Sequence, residues 1–252
     1  MVVIMNIIEI KNLNYSYKDK IIFENFNLNI KKNSITTILG ENGSGKSTLA
    51  KLIYNNNKNI KIFTKKINYV HSNPNEQIVG KTVKEQLTFY LKQEHIEDSI
   101  IKNKINKRIH EFKLKNIIDD DPYILNNENK QIIILLSNIL HHPKLLIIDD
   151  ALCFIGSYYK NKILKYLKKQ KISIINFTND VEECTYGHQI VIINKNVVLN
   201  KTTKQALKEE KKFIDNNLKL PFIAELSLKL KYYGLINDMN LNITEMVNNL
   251  WN

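Results

Sequence analysis

Residues Gly40-Glu-Asn-Gly-Ser-Gly-Lys46-Ser47-Thr48 fit the pattern G-x-x-x-x-G-K-[ST] in full. The β-branched apolar run Ile35 to Leu39 leads into the segment, and the helix-forming stretch Ser-Thr-Leu-Ala-Lys-Leu-Ile follows. Strand, glycine loop and helix in that order are the context a phosphate-binding loop requires. Glycines let backbone N–H groups turn toward phosphate oxygens, and the helix start adds its dipole. Lys46 is expected to bridge the β- and γ-phosphates and Ser47 to ligate Mg²⁺. Gly40, Asn42, Gly43, Gly45 and Thr48 complete the expected nucleotide loop.

Composition narrows the classes that remain. The 252 residues carry 37 basic and 25 acidic side chains, a formal charge of +12. That charge suggests nucleic acid or an anionic membrane. However, 36 of the 37 are lysine and Arg108 is the single arginine. Lysine, asparagine (36) and isoleucine (40) share A/T-rich codons and together fill 112 positions. A nucleic-acid groove favours the forked donors of arginine, so compositional bias and a solvated surface explain the charge better. No apolar run approaches a membrane span. The apolar start MVVIMNIIEI has no basic region and no small-residue cleavage site, so it is not read as a signal peptide. Cys153 and Cys184 are too few for a disulfide framework or a CxxC site and read as inert buried thiols.

Along the chain, Ile7 to Ile10, Phe26 to Ile30, Ile60 to Phe63 and Ile67 to Val70 are strand candidates. Val83, Leu87 and Leu91, then Ile101, Ile105, Ile109 and Phe112, form helical stripes. Ile132 to Leu136 reads as core helix. Leu145 to Ile148, Ile172 to Phe177 and Ile190 to Ile193 are fully apolar strands, with Ile163, Leu164 and Leu167 marking a helix between them. Such alternation predicts a parallel α/β sheet covered on both faces. Asn196 to Leu199 reads as an edge hairpin. Pro221 precedes a stripe of Ile223, Leu226, Leu230 and Tyr233, and Met246, Val247 and Leu250 repeat it.

Leu145-Leu-Ile-Ile-Asp149-Asp150 looks like a Walker B strand. An apolar strand ending in acids is common by itself. About a hundred residues after a complete phosphate loop, it reads as the Mg²⁺-holding strand, with Asp149 on the metal and Asp150 at the water-orienting position. Here the chain resembles ATP-binding cassette (ABC) proteins, and more closely the ATP-binding subunits of energy-coupling factor (ECF) vitamin and metal transporters. Asn12-Leu-Asn-Tyr-Ser-Tyr17 resembles the adenine-stacking segment ahead of a strand pair, with Tyr17 at the aromatic position. Asn73-Pro-Asn-Glu-Gln77-Ile-Val-Gly80 resembles the stretch after the Q-loop, and Asp121-Pro122 the lead-in to the signature. Leu220-Pro-Phe-Ile-Ala-Glu-Leu and Leu241-Asn-Ile-Thr-Glu-Met resemble the C-terminal helical domain.

The resemblance implies an α/β P-loop NTPase core of ABC type with an antiparallel β subdomain, a helical insertion and a small C-terminal helical domain. It places the ABC domain at 1–202, with the helical subdomain inserted at about 80–142, and the C-terminal domain at 203–252. It implies ATP and Mg²⁺ as ligands. It also implies a second cassette of a different chain, integral membrane coupling and substrate-binding subunits, no nucleic acid, and a peripheral place on the cytoplasmic face. The substrate would be a vitamin or metal ion chosen by a separate membrane protein. In this family Glu76 and Glu85 flank the region that docks the membrane subunit.

The family pattern fails at the catalytic positions. Ser72 stands at the Q-loop glutamine, Asp150 at the Walker B glutamate, Gly156 at the D-loop aspartate and Asn179 at the switch histidine. The signature reads Leu125-Asn126-Asn127-Glu128-Asn129. A carboxylate at Glu128 about 4 Å from a phosphate charge would repel it by roughly 4 kcal/mol at an effective dielectric of 20. Asp150 is one methylene short of glutamate, and Asn179 carries no proton or charge at neutral pH. The expectation is MgATP binding through Tyr17, Lys46, Ser47 and Asp149, with slow or absent hydrolysis. An alternative is a non-catalytic structural or regulatory subunit beside an active cassette; a nucleic-acid-linked cassette is a third reading. The six histidines, His95 among them, read as surface residues with no acid at ligand spacing. Asp119-Asp-Asp121 reads as a loop rather than a calcium site.

Overall fold

A computed structural model describes residues 5–94 and 96–251, so His95 and the first four residues of the apolar start lie outside the described part. The strands are β1 (Asn6–Tyr17), β2 (Lys20–Lys31), β3 (Ile35–Leu39), β4 (Ile60–Ile62), β5 (Ile67–His71), β6 (Leu145–Asp149), β7 (Ser173–Thr178), β8 (Gln189–Asn194) and β9 (Asn196–Thr202). The α-helices are α1 (Lys46–Tyr54), α2 (Val83–Gln93), α3 (Asp98–Glu111), α4 (Asn127–Leu140), α5 (Ser157–Lys168), α6 (Thr203–Ala206), α7 (Glu210–Ile214), α8 (Phe222–Tyr232) and α9 (Ile243–Trp251). The chain divides into two units. One comprises 1–63 and 175–252, and the other 64–174, with the division running through β7.

In the first unit β1 pairs antiparallel with both β2 and β4. The hairpin is longer than its apolar runs suggest, because asparagine carries it through two irregular places. Asn12 and Asn25 both adopt positive φ (48° each). The freed backbone is held by amide side chains: Asn12 N–H donates to Asn27 Oδ1 (2.9 Å), and Asn25 N–H to Asn14 Oδ1 (2.7 Å). The segment 12–17 therefore lies inside β1 rather than ahead of a strand pair. β3 and β8 run parallel, and β9 closes antiparallel on β8. All five residues of β3 and the first five of β8 are buried, as strands covered on both faces must be.

The tail packs onto that same core. Phe213, Leu218, Leu220, Ala224 and Met239 join Leu39, Ile190, Ile192 and Leu199 in one apolar cluster. The expected stripe on α8 is displaced. The buried residues are Ile223, Ala224 and Ser227, whereas Tyr233 is 73% exposed. Small side chains let α8 lie close, and Ser227 Oγ accepts the Asn240 N–H at 2.8 Å. On α9 only Met246 is buried.

In the second unit β5 and β6 run parallel, with Tyr69 opposite Ile147 and His71 opposite Asp149. Helix α4 is buried at every position from Lys130 to Leu140. The core reading of Ile132 to Leu136 therefore holds, but it extends over polar residues too. Asn68 Nδ2 donates to Asn138 Oδ1 (2.9 Å) inside this core. Helix α2 begins with Thr82 accepting the Glu85 N–H, while Glu85 accepts the Lys81 N–H at 2.8 Å. That reciprocal arrangement is close to a capping box. Gln86, 1% exposed, accepts from the N–H groups of Val79 (2.8 Å) and Gly80 (3.0 Å). A Cβ on Gly80 would lie 2.3 Å from Gln86 N, so only glycine fits there.

Gln86→Leu keeps the volume but leaves two donors without their acceptor. Each orphaned donor costs about 1–3 kcal/mol when buried. Urea unfolding should show that combined loss, and an unchanged midpoint would refute the role given to Gln86.

Candidate nucleotide site

The residues singled out in the sequence fall on both units. Tyr17, Gly40, Asn42, Gly43, Gly45, Lys46, Ser47, Thr48 and Asn179 belong to the first, and Ser72, Asp149 and Asp150 to the second.

In the first unit β3 ends at Leu39 and α1 begins at Lys46, leaving a six-residue loop. Gly43 (φ 85°) and Gly45 (φ 102°) take conformations that residues with a Cβ rarely adopt. Gly45 is the N-cap of α1 and supplies no side-chain cap, and no acid lies in the first turn. The opening N–H groups of α1 thus face no carboxylate of their own helix. A Cβ on Gly40 would lie 2.5 Å from Ser44 Oγ and 2.6 Å from the Ile193 carbonyl; one on Gly45 would lie 2.7 Å from Phe23 Cζ. Lys46 Nζ arches back and donates to the carbonyls of Gly40 (2.6 Å) and Glu41 (2.9 Å). The buried Ser44 Oγ has no hydrogen-bond partner. Turned backbone donors, an ammonium above them and an unsatisfied hydroxyl form a donor set suited to a polyphosphate.

Tyr17 closes the β1–β2 hairpin opposite Lys20, and the residue is 65% exposed. Asn179, just beyond β7, donates from Nδ2 to Asn42 Oδ1 at 3.4 Å. The switch position and the phosphate loop are therefore in contact through two neutral amides.

In the second unit Asp149 ends β6 and is 5% exposed. Tyr69, from the adjacent strand, donates its hydroxyl to Asp149 Oδ2 at 2.8 Å. Burial, and next the neighbouring Asp149 charge, push the Tyr69 phenol above its ordinary range. Sequence reading missed Tyr69. The usable signal was its place in β5, two residues before the strand end that pairs with Asp149. Asp150 follows with φ 52°.

Ser72 sits in a clamped loop. Gln77 accepts the His71 N–H at 3.1 Å and donates to the carbonyls of His71 (2.8 Å) and Asn73 (2.9 Å). From α4, Gln131 donates to the His71 carbonyl (3.3 Å) and Lys130 Nζ to Asn75 Oδ1 (3.0 Å). The turn that opens α4 is capped by Asn126, which accepts the Asn129 N–H at 2.8 Å. Glu128 does not stand free there, because its Oε1 accepts the Gly156 N–H at 2.8 Å.

Two minor readings change. Cys153 is exposed, not buried, because it lies in the turns after Asp150; Cys184 is buried, which pushes its thiol up. His141 is not a free surface residue: its side chain is 17% exposed and Nε2 lies 3.2 Å from Glu94, an acid brought by α2's end. Burial and the nearby Lys104 and Arg108 hold His142 below its usual value. Among the described residues no group of three or more His, Cys, Asp or Glu is placed to hold a metal ion.

Comparison with known proteins gives the class. The family model for ABC transporters matches residues 23–153. The energy-coupling factor transporter ATP-binding protein EcfA1 of Leuconostoc mesenteroides is 32% identical over 246 residues, covering 88% of this chain and 90% of that one. EcfA1 of Staphylococcus epidermidis is 28% identical, covering 92% and 98%. The structure of cbiO1 from Clostridium perfringens, part of the ABC transporter complex cbiONQ, shares the fold with a TM-score of 0.69. It is 23% identical and covers 88% of this chain and 98% of that one. A structure titled as the ATP binding subunit of an ABC transporter superposes with a TM-score of 0.71 at 19% identity, covering 89% and 99%. The chain belongs to the ABC transporter ATP-binding family. Within it, the chain is an ATP-binding subunit of the ECF type.

Tyr69 gives a pH signature. Its folded-state pKa lies above the unfolded value of about 10, so the native state holds the proton more tightly. The stability this contributes is complete below about pH 10 and declines as pH rises beyond it. Tyr69→Phe should flatten the fall in urea stability between roughly pH 9.5 and 11 relative to wild type. Parallel curves would show that the phenol is not held as described.

Proposed function

We propose that the loop 40–48 binds the triphosphate of MgATP, with Tyr17 stacking the base and Ser47 and Asp149 holding the metal. The observation that carries this reading is the loop itself, with positive-φ glycines, an α1 start without side-chain cap or acid, and Lys46 folded over it. Bound Mg²⁺ would neutralise charge on the phosphates. The chain's own groups supply the rest. Loop N–H groups orient the phosphates, Lys46 adds positive charge, and Tyr69 fixes the carboxylate of Asp149.

The chain then acts as the engine of an uptake complex for a vitamin or metal ion, peripheral on the cytoplasmic face. No helix among the described residues is long and apolar enough to cross a membrane. In this reading separate membrane subunits select and carry the substrate. The functional division is an ABC domain at 1–202, with its helical part at about 80–142, and a C-terminal helical domain at 203–252. A groove of about 370 Å³ lined by Val79, Gly80, Glu85, Thr88, Phe89 and Lys92 suits the coupling segment of the membrane subunit. Glu85 and Glu76 would not meet it as bare charges, because Glu85 accepts the Lys81 N–H at 2.8 Å and Glu76 accepts from Asn73 at 2.7 Å.

Hydrolysis at this loop is slow. Asp150 is short and Ser72 lies in a clamped loop. The Asn179–Asn42 contact puts a neutral amide where a proton-carrying imidazole would serve. A different, better-equipped cassette is the expected partner. A second reading, a non-catalytic subunit that binds ATP only, is favoured by the same neutral Asn179–Asn42 pair.

Fluorescent-ATP titration with Mg²⁺ should show binding that weakens by about 10- to 100-fold in Lys46→Ala, the scale of a charged hydrogen bond. In a purified complex with the partner's phosphate loop disabled, turnover should be at most about 1% of the intact complex, given that misplacement by about 1 Å costs on the order of 100-fold. Robust turnover that Lys46→Ala removes would overturn the slow-hydrolysis reading. Unchanged ATP affinity in Lys46→Ala would overturn the binding reading.

A further inference from the structure

We propose that Glu128 is an intramolecular clamp, its carboxylate capping helix α5 through the Gly156 N–H and fixing the 150–156 loop. Its bearing on nucleotide rests on the function proposed above; the clamp itself does not.

Gly156 is the N-cap of α5, at φ −60° and ψ 151°, and no side chain of its own caps that helix. This is ordinary extended backbone, open to any residue. Serine, threonine, aspartate or asparagine is the usual choice at an N-cap, because its side chain satisfies one of the helix's opening N–H groups. Glycine stands there in a chain that has only seven. What crowds the position is the clamp: a Cβ at 156 would lie 3.1 Å from Glu128 Oε1. Glycine gives the carboxylate its closest approach, which a Cβ would push back by a few tenths of an ångström.

The other end is equally defined. Glu128 lies in the first turn of α4, where the helix dipole favours an acid. Asn126 caps the same turn and orients it. One carboxylate thus serves two helix starts, by charge at α4 and by a charge-assisted hydrogen bond at α5. The loop it closes starts at the left-handed Asp150, turns through Cys153 N–H to the Asp150 carbonyl (3.4 Å) and Ile155 N–H to the Leu152 carbonyl (3.1 Å), and ends at Gly156.

Glu128 is therefore a positioning residue for the Asp150 loop. The two departures from the family pattern, a glutamate in the signature and a glycine at the D-loop, are halves of one interaction. A further consequence concerns an incoming phosphate. The start of α4 already holds a seated negative charge, so a second cassette's nucleotide meets repulsion there.

Hydrogen–deuterium exchange at the Gly156 amide of the full chain, without nucleotide, tests the clamp. Glu128→Ala should speed exchange by about 10- to 100-fold, whereas Glu128→Gln, which keeps an acceptor, should stay within about threefold of wild type. Slow exchange of Ile134 to Leu136 in every variant would show that α4 is intact. Gly156→Ala crowds the carboxylate at 3.1 Å without removing it, and should speed Gly156-position exchange less than Glu128→Ala does. Equal Gly156 exchange in wild type and Glu128→Ala, or Glu128→Gln exchanging as fast as Glu128→Ala, overturns the proposal. Because no ATP is present, a chain that fails to bind ATP would leave this result standing, and the reverse holds too.

Discussion

The phosphate loop depends on a contact between a residue without a side chain and an aromatic ring. Gly45 starts α1 at φ 102°, and its α-carbon lies so close to Phe23 that a single methyl would overlap the ring edge. Phe23 is held in turn by Phe26, also on β2, with ring centroids 4.9 Å apart, and both residues are buried. The opposite end of the loop is fixed in the same manner, with Gly40 against the Ile193 carbonyl at the end of β8. A loop fixed by its two ends presents its N–H groups in one arrangement. Binding a phosphate there requires little further ordering of the chain.

The second unit solves a different problem. Between β5 and α2 the chain runs eleven residues, 72–82, with one short 3-10 turn and no strand. Buried backbone donors and acceptors must be matched somewhere. Glutamine side chains do this, Gln77 and Gln86 each serving more than one main-chain group. Gln77 holds 71–73, Gln86 holds 79–80, and Gln131 reaches His71 from α4. An amide has both donor and acceptor, so it pairs with peptide groups without introducing charge. The result ties the loop carrying Ser72 to the helix whose first turn carries Glu128.

The parts of the fold read most directly from sequence are those where one physical effect dominates. In strands buried on both faces, Leu145 to Ile148 of β6 and Ile190 to Ile193 of β8 are continuous apolar runs, and α2 and α3 show clean stripes. The phosphate loop was legible because its glycines and lysine have fixed spacing. Where two effects compete, the pattern failed. The stripe on α8 pointed to Tyr233, but close packing at Ala224 and Ser227 rotates the buried face. The hairpin extended past its apolar runs because asparagine amides support its irregular backbone. The partners of Tyr69 and Glu128 were beyond reach for another reason. Both act on partners distant in sequence, Asp149 and Gly156, and a single chain's spacing carries no record of such pairs.

The scarcity of glycine explains how such pairs become visible once the fold is known. Ten described residues other than glycine have positive φ, and five of them are asparagine (Asn12, Asn25, Asn33, Asn56 and Asn217). Asparagine tolerates the left-handed region better than most residues, since its short amide bonds to nearby backbone. The composition that supplies lysine for arginine thus also supplies asparagine at turns where glycine is common. Glycine persists where asparagine offers no substitute. Gly40, Gly45, Gly80 and Gly187 each face an atom within 3 Å of where a Cβ would be. Gly43 and Gly234 have open space and are kept by φ alone. Gly156 fits neither group. Its φ is ordinary, and its nearest obstacle is the end of a flexible side chain at 3.1 Å. Among the seven, it is the glycine whose nearest neighbour is a carboxylate, and that carboxylate, Glu128, accepts its amide N–H.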